Sequence, residues 1–329
     1  MAARPILNRI RLEAWLLRHA AIGHLRRVRH YVRRTWSGAD PSKHSTHQAV
    51  YVHYDREGIV HDYVIEQLRQ LVAANYRITF VSNAPKLNAM SLAEVQQFCR
   101  QVIWRRNVGY DFGAYKDAIA ALGDLSCVDR LLLMNDSVYG PFRPLTEILN
   151  TIDPTQTDLW GITDSWDGHY HIQSYFVLFF KEALLSKTFN RFWRRMPYVN
   201  SKPWLIRNGE IKLTQQLTSR KLRAMVLCPY WLVARSILAK LEVRDHADLA
   251  PVHNAFLDDL QKHIIRGTHL NPAHFFWETL ITDFQCPFIK RELIQTNPGN
   301  VVYAWRWPEV IEAHSKYNLE FIHRHLQAN

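Results

Sequence analysis

The chain is poor in cysteine: Cys99, Cys127, Cys228 and Cys286 are the only four in 329 residues, and none are spaced C-x-x-C. That scatter excludes a disulfide framework and a cysteine-built zinc site, and it reads as free thiols in a reducing cytosol. Long apolar runs are missing too. No stretch approaches the roughly 18 uninterrupted apolar residues of a spanning helix, and the amino terminus lacks the apolar core and small-residue cleavage site of a signal peptide. There is no G-x-G-x-x-G or Walker fingerprint, no internal repeat and no low-complexity tract.

Acidic residues are scarce in one place. Residues 1–36 hold nine arginines against a single glutamate, which leaves only +3 of the total +11 for the other 293 residues. A nucleic-acid binder would need that footprint on the body, together with a reading motif, and the chain has neither. The arginines alternate with Leu, Ile, Val and Trp at helical intervals, so residues 1–36 are expected to form a basic amphipathic helix. Such a helix suits the anionic inner face of a plasma membrane, each basic residue near the surface contributing ~1 kcal/mol. A partner-docked or solvated arm is the alternative. Residues 37–48, small and polar, read as a linker.

What is present beyond residue 48 is an α/β pattern in a chain long enough to bury a real core, 47% apolar and 22% charged. Strand 49–54, helix 59–74 and strand 76–81 have the lengths of a right-handed crossover. The strands end at Asp55 and at Ser82-Asn83, where a nucleotide could be held; ordinary turn chemistry is the alternative. A helix with Ser91 as its N-cap and Glu94 three residues on fits a capping box. Next comes R-R-N-V-G-Y-D-F-G-A-Y-K-D-A (105–118), a polar loop punctuated by Gly109 and Gly113, opening a helix. The buried strand 131–134 then stops at N-D-S-V-Y-G-P (135–141). In open α/β sheets ligands bind beyond the carboxyl ends of such strands, so the two clusters should face one crevice. Within it Asn107, Gly109, Asp111, Tyr115, Asn135 and Ser137 are candidate donor contacts alongside Asp55 and Asn83. Asp111 suits a ribose or sugar hydroxyl, or a helix N-cap. Lys116 could counter a diphosphate or be a solvated helix lysine.

Two further strands, 158–163 and 172–180, flank the polar aromatic loop D-S-W-D-G-H-Y-H (164–171). Trp and Tyr faces beside polar donors suit a sugar ring, which makes Trp166, His171, Gln173 and Tyr175 candidate acceptor contacts. His169 and His171 look like half a metal site, with no third and fourth ligand at zinc spacing.

The motifs N-V-G-Y-D-F-G-A-Y-K-D-A and N-D-S-V-Y-G-P resemble the rhamnan synthesis protein F family of glycosyltransferases, over roughly residues 49–300. More loosely the chain resembles GT-A transferases, in which an Asn-x-Gly loop touches the donor and an acidic strand end, usually Asp-x-Asp, holds the nucleotide diphosphate and its metal. Here Asp136 alone stands for that pair. The resemblance implies a GT-A-like α/β fold with a mostly parallel sheet flanked by helices. Residues 49–145 would form a nucleotide-sugar half and 146–300 an acceptor half, with a mainly helical carboxyl-terminal part after Tyr230 and a tail over 301–329. It further implies inverting transfer of a sugar, L-rhamnose from dTDP-β-L-rhamnose, onto a growing lipid-linked or polysaccharide acceptor at the cytoplasmic face of the plasma membrane, with Mg²⁺ or Mn²⁺ at Asp136. Glu210, in N-G-E-I-K-L, resembles the carboxylate that heads a helix facing the acceptor and acts as general base; Asp164 and Asp167 compete for that part. N-P-A-H-F-F-W-E (271–278) and P-F-I-K-R-E-L (287–293) look like the family's carboxyl-terminal signature, offering His274 and Lys290 as phosphate contacts. His274 and Glu278 should share one helical face. A non-catalytic carbohydrate-binding or polysaccharide-assembly protein is the rival class; it would keep the aromatic loop and lose nucleotide affinity.

Overall fold

The computed structural model describes residues 31–243 and 250–328, with Arg18 and Ala21. Most of the basic helix expected over residues 1–36 thus lies outside the described residues. Its last part is a correction: Val32–Ser37 is a strand, β1. The run V-R-R-T-W-S combines β-branched and aromatic residues that suit a pleated edge. It pairs antiparallel with a later strand, and Arg33 lies over Trp104 at 4.7 Å while Arg34 covers Trp36 at 5.0 Å. Charged side chains of this kind blunt an exposed sheet edge.

The remaining strands are β2 (His47–His53), β3 (Arg77–Ser82), β4 (Cys99–Arg105), β5 (Arg130–Asn135), β6 (Val138–Tyr139), β7 (Leu159–Ser165), β8 (His171–Ile172), β9 (Phe176–Phe180), β10 (Ala224–Cys228) and β11 (Ile289–Lys290). The main sheet runs β1-β4-β3-β2-β5-β9-β7-β10, with β8 beside β7. Its centre, β4-β3-β2-β5, is parallel; β9 is inserted antiparallel between β5 and β7. Three helices make the crossovers of the parallel part: α1 (Asp62–Ala73), α2 (Ala89–Gln96) and α3 (Tyr110–Leu122). The α/β layout with a parallel centre flanked by helices is therefore the one the sequence led us to expect.

Burial explains why the central strands read as unbroken apolar runs. Along β2, Ala49 and Tyr51 point into one core and Val50 and Val52 into the other; along β5, Leu132 and Met134 join the first, Leu131 and Leu133 the second. A strand covered on both faces has no polar face to alternate. One sheet runs through residues 49–145 and 146–300 alike, and the segment set apart as a tail belongs to the core: Ile311 and Ile322 are fully buried, and Tyr139 Oη lies 2.7 Å from His325 Nδ1.

Local differences have local causes. Strand 172–180 is interrupted at Gln173-Ser174-Tyr175, so β8 and β9 pair differently along β7. The N-cap before α2 is Asn88, whose side chain accepts from the amides of Met90 and Ser91. Ser91 Oγ is taken up by the Val60 amide instead, at 3.0 Å.

Candidate functional site

Sheet order reverses at β2: the chain steps outward through β3 to β4, then returns to place β5 on β2's other side. The crevice beyond the carboxyl ends at such a switch point is where ligands bind in open α/β sheets. A cleft of about 930 Å³ lies there, and each central strand delivers residues to it: Tyr54 after β2, Asn83 after β3, Asn107 to Phe112 after β4, and Asn135 to Ser137 at the end of β5. The opposite wall comes from Gln173 to Tyr175, Glu210, Asn271, His274 and Lys290 to Glu292.

Arg105, at the end of β4, organises the floor. Its guanidinium is fully buried and donates to Asp117 Oδ2 at 2.7 Å, to Asn83 Oδ1 at 2.7 Å and to the Val108 carbonyl at 2.8 Å. One side chain thus ties β3's turn, the Asn107–Gly109 loop and α3 together. Gly109 takes φ +81° as the residue before α3, and its amide donates to Asn200 Oδ1 at 2.7 Å. A β-carbon on Gly113 would sit 2.3 Å from the Val108 carbonyl oxygen and 3.1 Å from the Arg105 guanidinium. Gly113→Ala is therefore expected to lower stability by about 1–3 kcal/mol, the usual cost of overpacking a filled site. Denaturant titration would show it, and an unchanged midpoint would mean that the loop yields.

Asp111 is the second residue of α3, half-buried on the cleft wall, and it does not cap the helix. Asn135 Nδ2 donates to its Oδ2 at 3.1 Å, and Asn135 Oδ1 accepts from the Ser137 amide and hydroxyl. Burial, then the nearby Asp136 carboxylate, push the Asp111 carboxyl up to about 7, with Lys290 pulling the other way. An unfolded carboxyl releases its proton near 3.8. Between those values the folded chain binds the extra proton, so Asp111 costs stability as pH rises through that window. Asp111→Asn keeps an acceptor for Asn135 and has no charge to bury. It is expected to raise Tm by several degrees at pH 8 and to leave it unchanged at pH 4; an equal gain at both pH values would rule out titration as the cause.

Asp136 reaches the cleft with its carboxylate engaged. Oδ2 accepts from the Tyr54 amide at 3.0 Å and lies 3.1 Å from Arg291 Nη1. The same Nη1 donates to the Asp136 carbonyl at 2.8 Å and to Tyr63 Oη at 2.6 Å. Antiparallel pairing of β11 with β6, with Lys290 opposite Val138, delivers Lys290 and Arg291 here. Lys290 Nζ donates to Ser137 Oγ at 3.2 Å and sits 4.3 Å from the Tyr175 ring centroid. Burial lowers this ammonium to about 8, opposed by Glu210 and Asp111, so it is largely charged at pH 7. His274 is pushed down to about 4 by burial and by Lys290, and is neutral there.

The oxygens around Asp136 do not converge on a cation. Oδ2 is shared by an amide and a guanidinium, and Asn135 Oδ1 is taken by Ser137. Among the described residues no group of three or more His, Cys, Asp or Glu side chains is placed to hold a metal. Mg²⁺ or Mn²⁺ at Asp136 does not fit this donor set.

Glu210 lies not at a helix start but inside a π-helical turn, Ile206–Ile211, between two α-helical segments. The wider turn carries one extra residue per cycle and often marks functional positions. Oε1 accepts from the Ser174 amide at 2.5 Å, which aims the carboxylate into the cleft beside Asp111 and Lys290. The competing carboxylates lie elsewhere: Asp164 is buried and accepts from the Tyr230 amide at 2.6 Å, and Asp167 is exposed on its loop.

Several other candidates are outside the cleft. Asp55 closes its own turn by accepting from the amides of Glu57 and Ile59 at 2.8 and 2.9 Å. Tyr115 is buried against the sheet and donates to the Ser174 carbonyl, supporting the wall from behind. Lys116 Nζ donates to the Met196 carbonyl at 2.5 Å. Trp166 is half-exposed and packs on Tyr170 and His269, and buried His171 bonds through Nδ1 to the His169 carbonyl. The helix expected over 271–281 breaks at Phe276, so His274 lines the cleft while Glu278 pairs with Arg306 at 3.1 Å. Arg105 and Arg291 were missed, although each adjoins a residue or motif already singled out.

An α/β protein with a polar crevice at its switch point, lined by carboxylates, lysines and arginines, is the class that fold and site define. Within it, the family model described as rhamnan synthesis protein F matches residues 78–229. That span includes β3 to β10 and most of the crevice, and it supports the sequence reading of a glycosyltransferase. The virulence protein VirA of Vibrio anguillarum is 28% identical over 278 residues, 83% of this chain and 87% of that protein. The uncharacterized protein y4gN of Sinorhizobium fredii is 32% identical over 176 residues, 52% of this chain. The match spans only 45% of y4gN's length. The galactosyltransferase LgtC, solved with donor and acceptor sugar analogues, is 13% identical, with 83% of this chain and 98% of that one covered at a TM-score of 0.38; a likeness at that score carries no argument about function.

Proposed function

We propose that the protein transfers a sugar from a nucleoside-diphosphate donor of the dTDP-β-L-rhamnose class to a hydroxyl of a growing cell-surface polysaccharide, with inversion. The observation that carries this reading is the joint placement in one cleft of a pre-aimed carboxylate, Glu210, and a half-buried cation, Lys290, beyond the strand ends that lead into Asn83, Asn107 and Asn135. In the reaction the acceptor oxygen attacks the anomeric carbon from the face opposite the diphosphate. Its proton passes to Glu210 as the carbon–oxygen bond to the diphosphate breaks, and the electron pair leaves with the phosphate. A positioned base of this kind contributes roughly 10²–10⁴-fold, and cationic groups fixed before the reaction stabilise the departing charge without reorganisation.

Gln173, whose amide donates to Asn271 Oδ1 at 3.1 Å, and Tyr175 stand on the acceptor side. The arginine-rich residues ahead of β1 suit attachment to the inner face of the plasma membrane, where a lipid-linked acceptor would be presented; among the described residues no helix is long and apolar enough to cross a membrane. A thermal-shift panel of dTDP, UDP and GDP, with CMP as control, tests the donor class, because selective binding to the native state raises Tm by mass action. A selective shift with dTDP is expected. No shift with any diphosphate at millimolar concentration would leave a carbohydrate-binding or assembly role in place of catalysis.

A further inference from the structure

We propose that Arg291 occupies, as a built-in cation, the place beside Asp136 that a divalent metal would take, so that Lys290 and Arg291 together make a metal-independent diphosphate site. This rests on the reading of the cleft as a nucleotide-sugar site and deepens it.

The sequence places one acid, Asp136, at the strand end, where a metal-binding site would need more carboxylate. The structure shows what that acid does. Its Oδ2 is 3.1 Å from Arg291 Nη1, and the same nitrogen also holds the Asp136 carbonyl and Tyr63 Oη. A metal ligand must turn its lone pairs toward the ion, whereas this carboxylate turns one oxygen to a guanidinium and to the Tyr54 amide. A cation added there would also approach the Lys290 ammonium and the Arg291 guanidinium at close range, which is electrostatically unfavourable.

Both cations line the cleft. Lys290 reaches it across the Tyr175 ring and is held by Ser137 Oγ, a position from which the ammonium can meet a phosphate oxygen as a compact point charge. Arg291 lines the cleft while its Nη1 is committed to Asp136 and Tyr63, so its positive charge is fixed in place at the cleft wall before any ligand arrives. Arg291 also cancels the charge of Asp136, which would otherwise repel the diphosphate. The short β6–β11 ladder fixes the two consecutive cations against the strand end, so no reorganisation is needed when the leaving group's charge develops.

Calorimetric titration of the full chain with dTDP and with UDP, in EDTA and then in excess Mn²⁺, tests this. The expected result is binding in EDTA with a Kd that Mn²⁺ changes by less than about threefold. Lys290→Met should weaken binding by about tenfold or more at either metal condition. Asp136→Asn keeps an acceptor for the Tyr54 amide and removes a negative charge facing the ligand; it should bind as tightly as wild type or more tightly, where a metal ligand's loss would abolish binding. Arg291→Gln should bind poorly in EDTA and be partly rescued by Mn²⁺, because Asp136 is then released to hold an ion, an outcome that a merely structural role for Arg291 does not produce. Binding of a diphosphate by wild type only when Mn²⁺ is present would overturn the inference and leave the donor reading intact. Failure of every diphosphate to bind under both conditions would overturn both. The wild-type titration decides the matter even where a variant does not fold.

Discussion

Exchange of Glu210 for Gln is expected to lower kcat by roughly 10²–10⁴-fold while donor affinity stays within about twofold. The substitution is nearly isosteric, and the amide oxygen of Gln can still accept from the Ser174 amide, the contact that orients this side chain at 2.5 Å. The π-turn Ile206–Ile211 should therefore keep its shape. What is lost is basicity: an amide cannot take the acceptor's proton as the glycosidic bond forms. An effect on kcat without one on donor binding is the signature of an interaction made in the transition state rather than with the ground-state substrate. Single-turnover transfer, with donor affinity measured separately, would distinguish the two. Near-normal kcat in Glu210→Gln would remove Glu210 from the chemistry and leave the carboxyl of Asp111, on the same cleft, as the group to examine next.

Arg105→Met is expected to cost about 3–5 kcal/mol, the usual consequence of removing one partner from a buried ion pair. Three groups lose their donor at once: the Asp117 carboxylate, Asn83 Oδ1 and the Val108 carbonyl. Asp117 keeps only the Tyr198 hydroxyl among these contacts. Larger chains lose ~2–4 °C per kcal/mol, so Tm should fall by about ten degrees. The fraction that still folds should bind diphosphates weakly, because Asn83 and the Asn107 loop lose their common anchor. Arg105→Lys should not rescue it, since one ammonium cannot reproduce donation from three separate guanidinium nitrogens. Arg106→Met, at the exposed neighbouring position, is the control and should leave Tm unchanged. Equal behaviour of the two variants would show that Arg105 is not the organising residue the geometry makes it.

Much of the crevice was legible from strand ends. The apolar runs of β2, β3 and β5 stop abruptly at polar residues, and strands buried on both faces must end where the polar crevice begins. Asn83, Asn107, Asp111, Asn135, Asp136 and Ser137 consequently line one cleft. Asp55 and His171 were misplaced because a polar residue that closes its own turn looks, in one dimension, the same as one that faces a ligand. Trp166 was assigned to the acceptor on its chemistry, yet loop position put it on Tyr170 and His269.

By itself the sequence determined the succession of strands and helices from residue 49 to residue 135, because period, turn residues and capping act over a few residues. It also carried the two motifs that resemble the rhamnan synthesis protein F family and the placement of basic charge at the amino end. Tertiary structure alone decided what these local signals cannot encode. It made 32–37 an edge strand by supplying β4 as a partner, drew residues 301–328 into the core, and opened the helix at Glu210 into a π-turn. Above all it set Lys290 and Arg291 against Ser137 and Asp136, Arg291 being 155 residues further along the chain than its partner. A two-residue ladder between β6 and β11 makes that contact. Its energy comes from a charge pair and from burial across the fold, neither of which exists until the sheet, the cleft and the carboxyl-terminal helices have assembled.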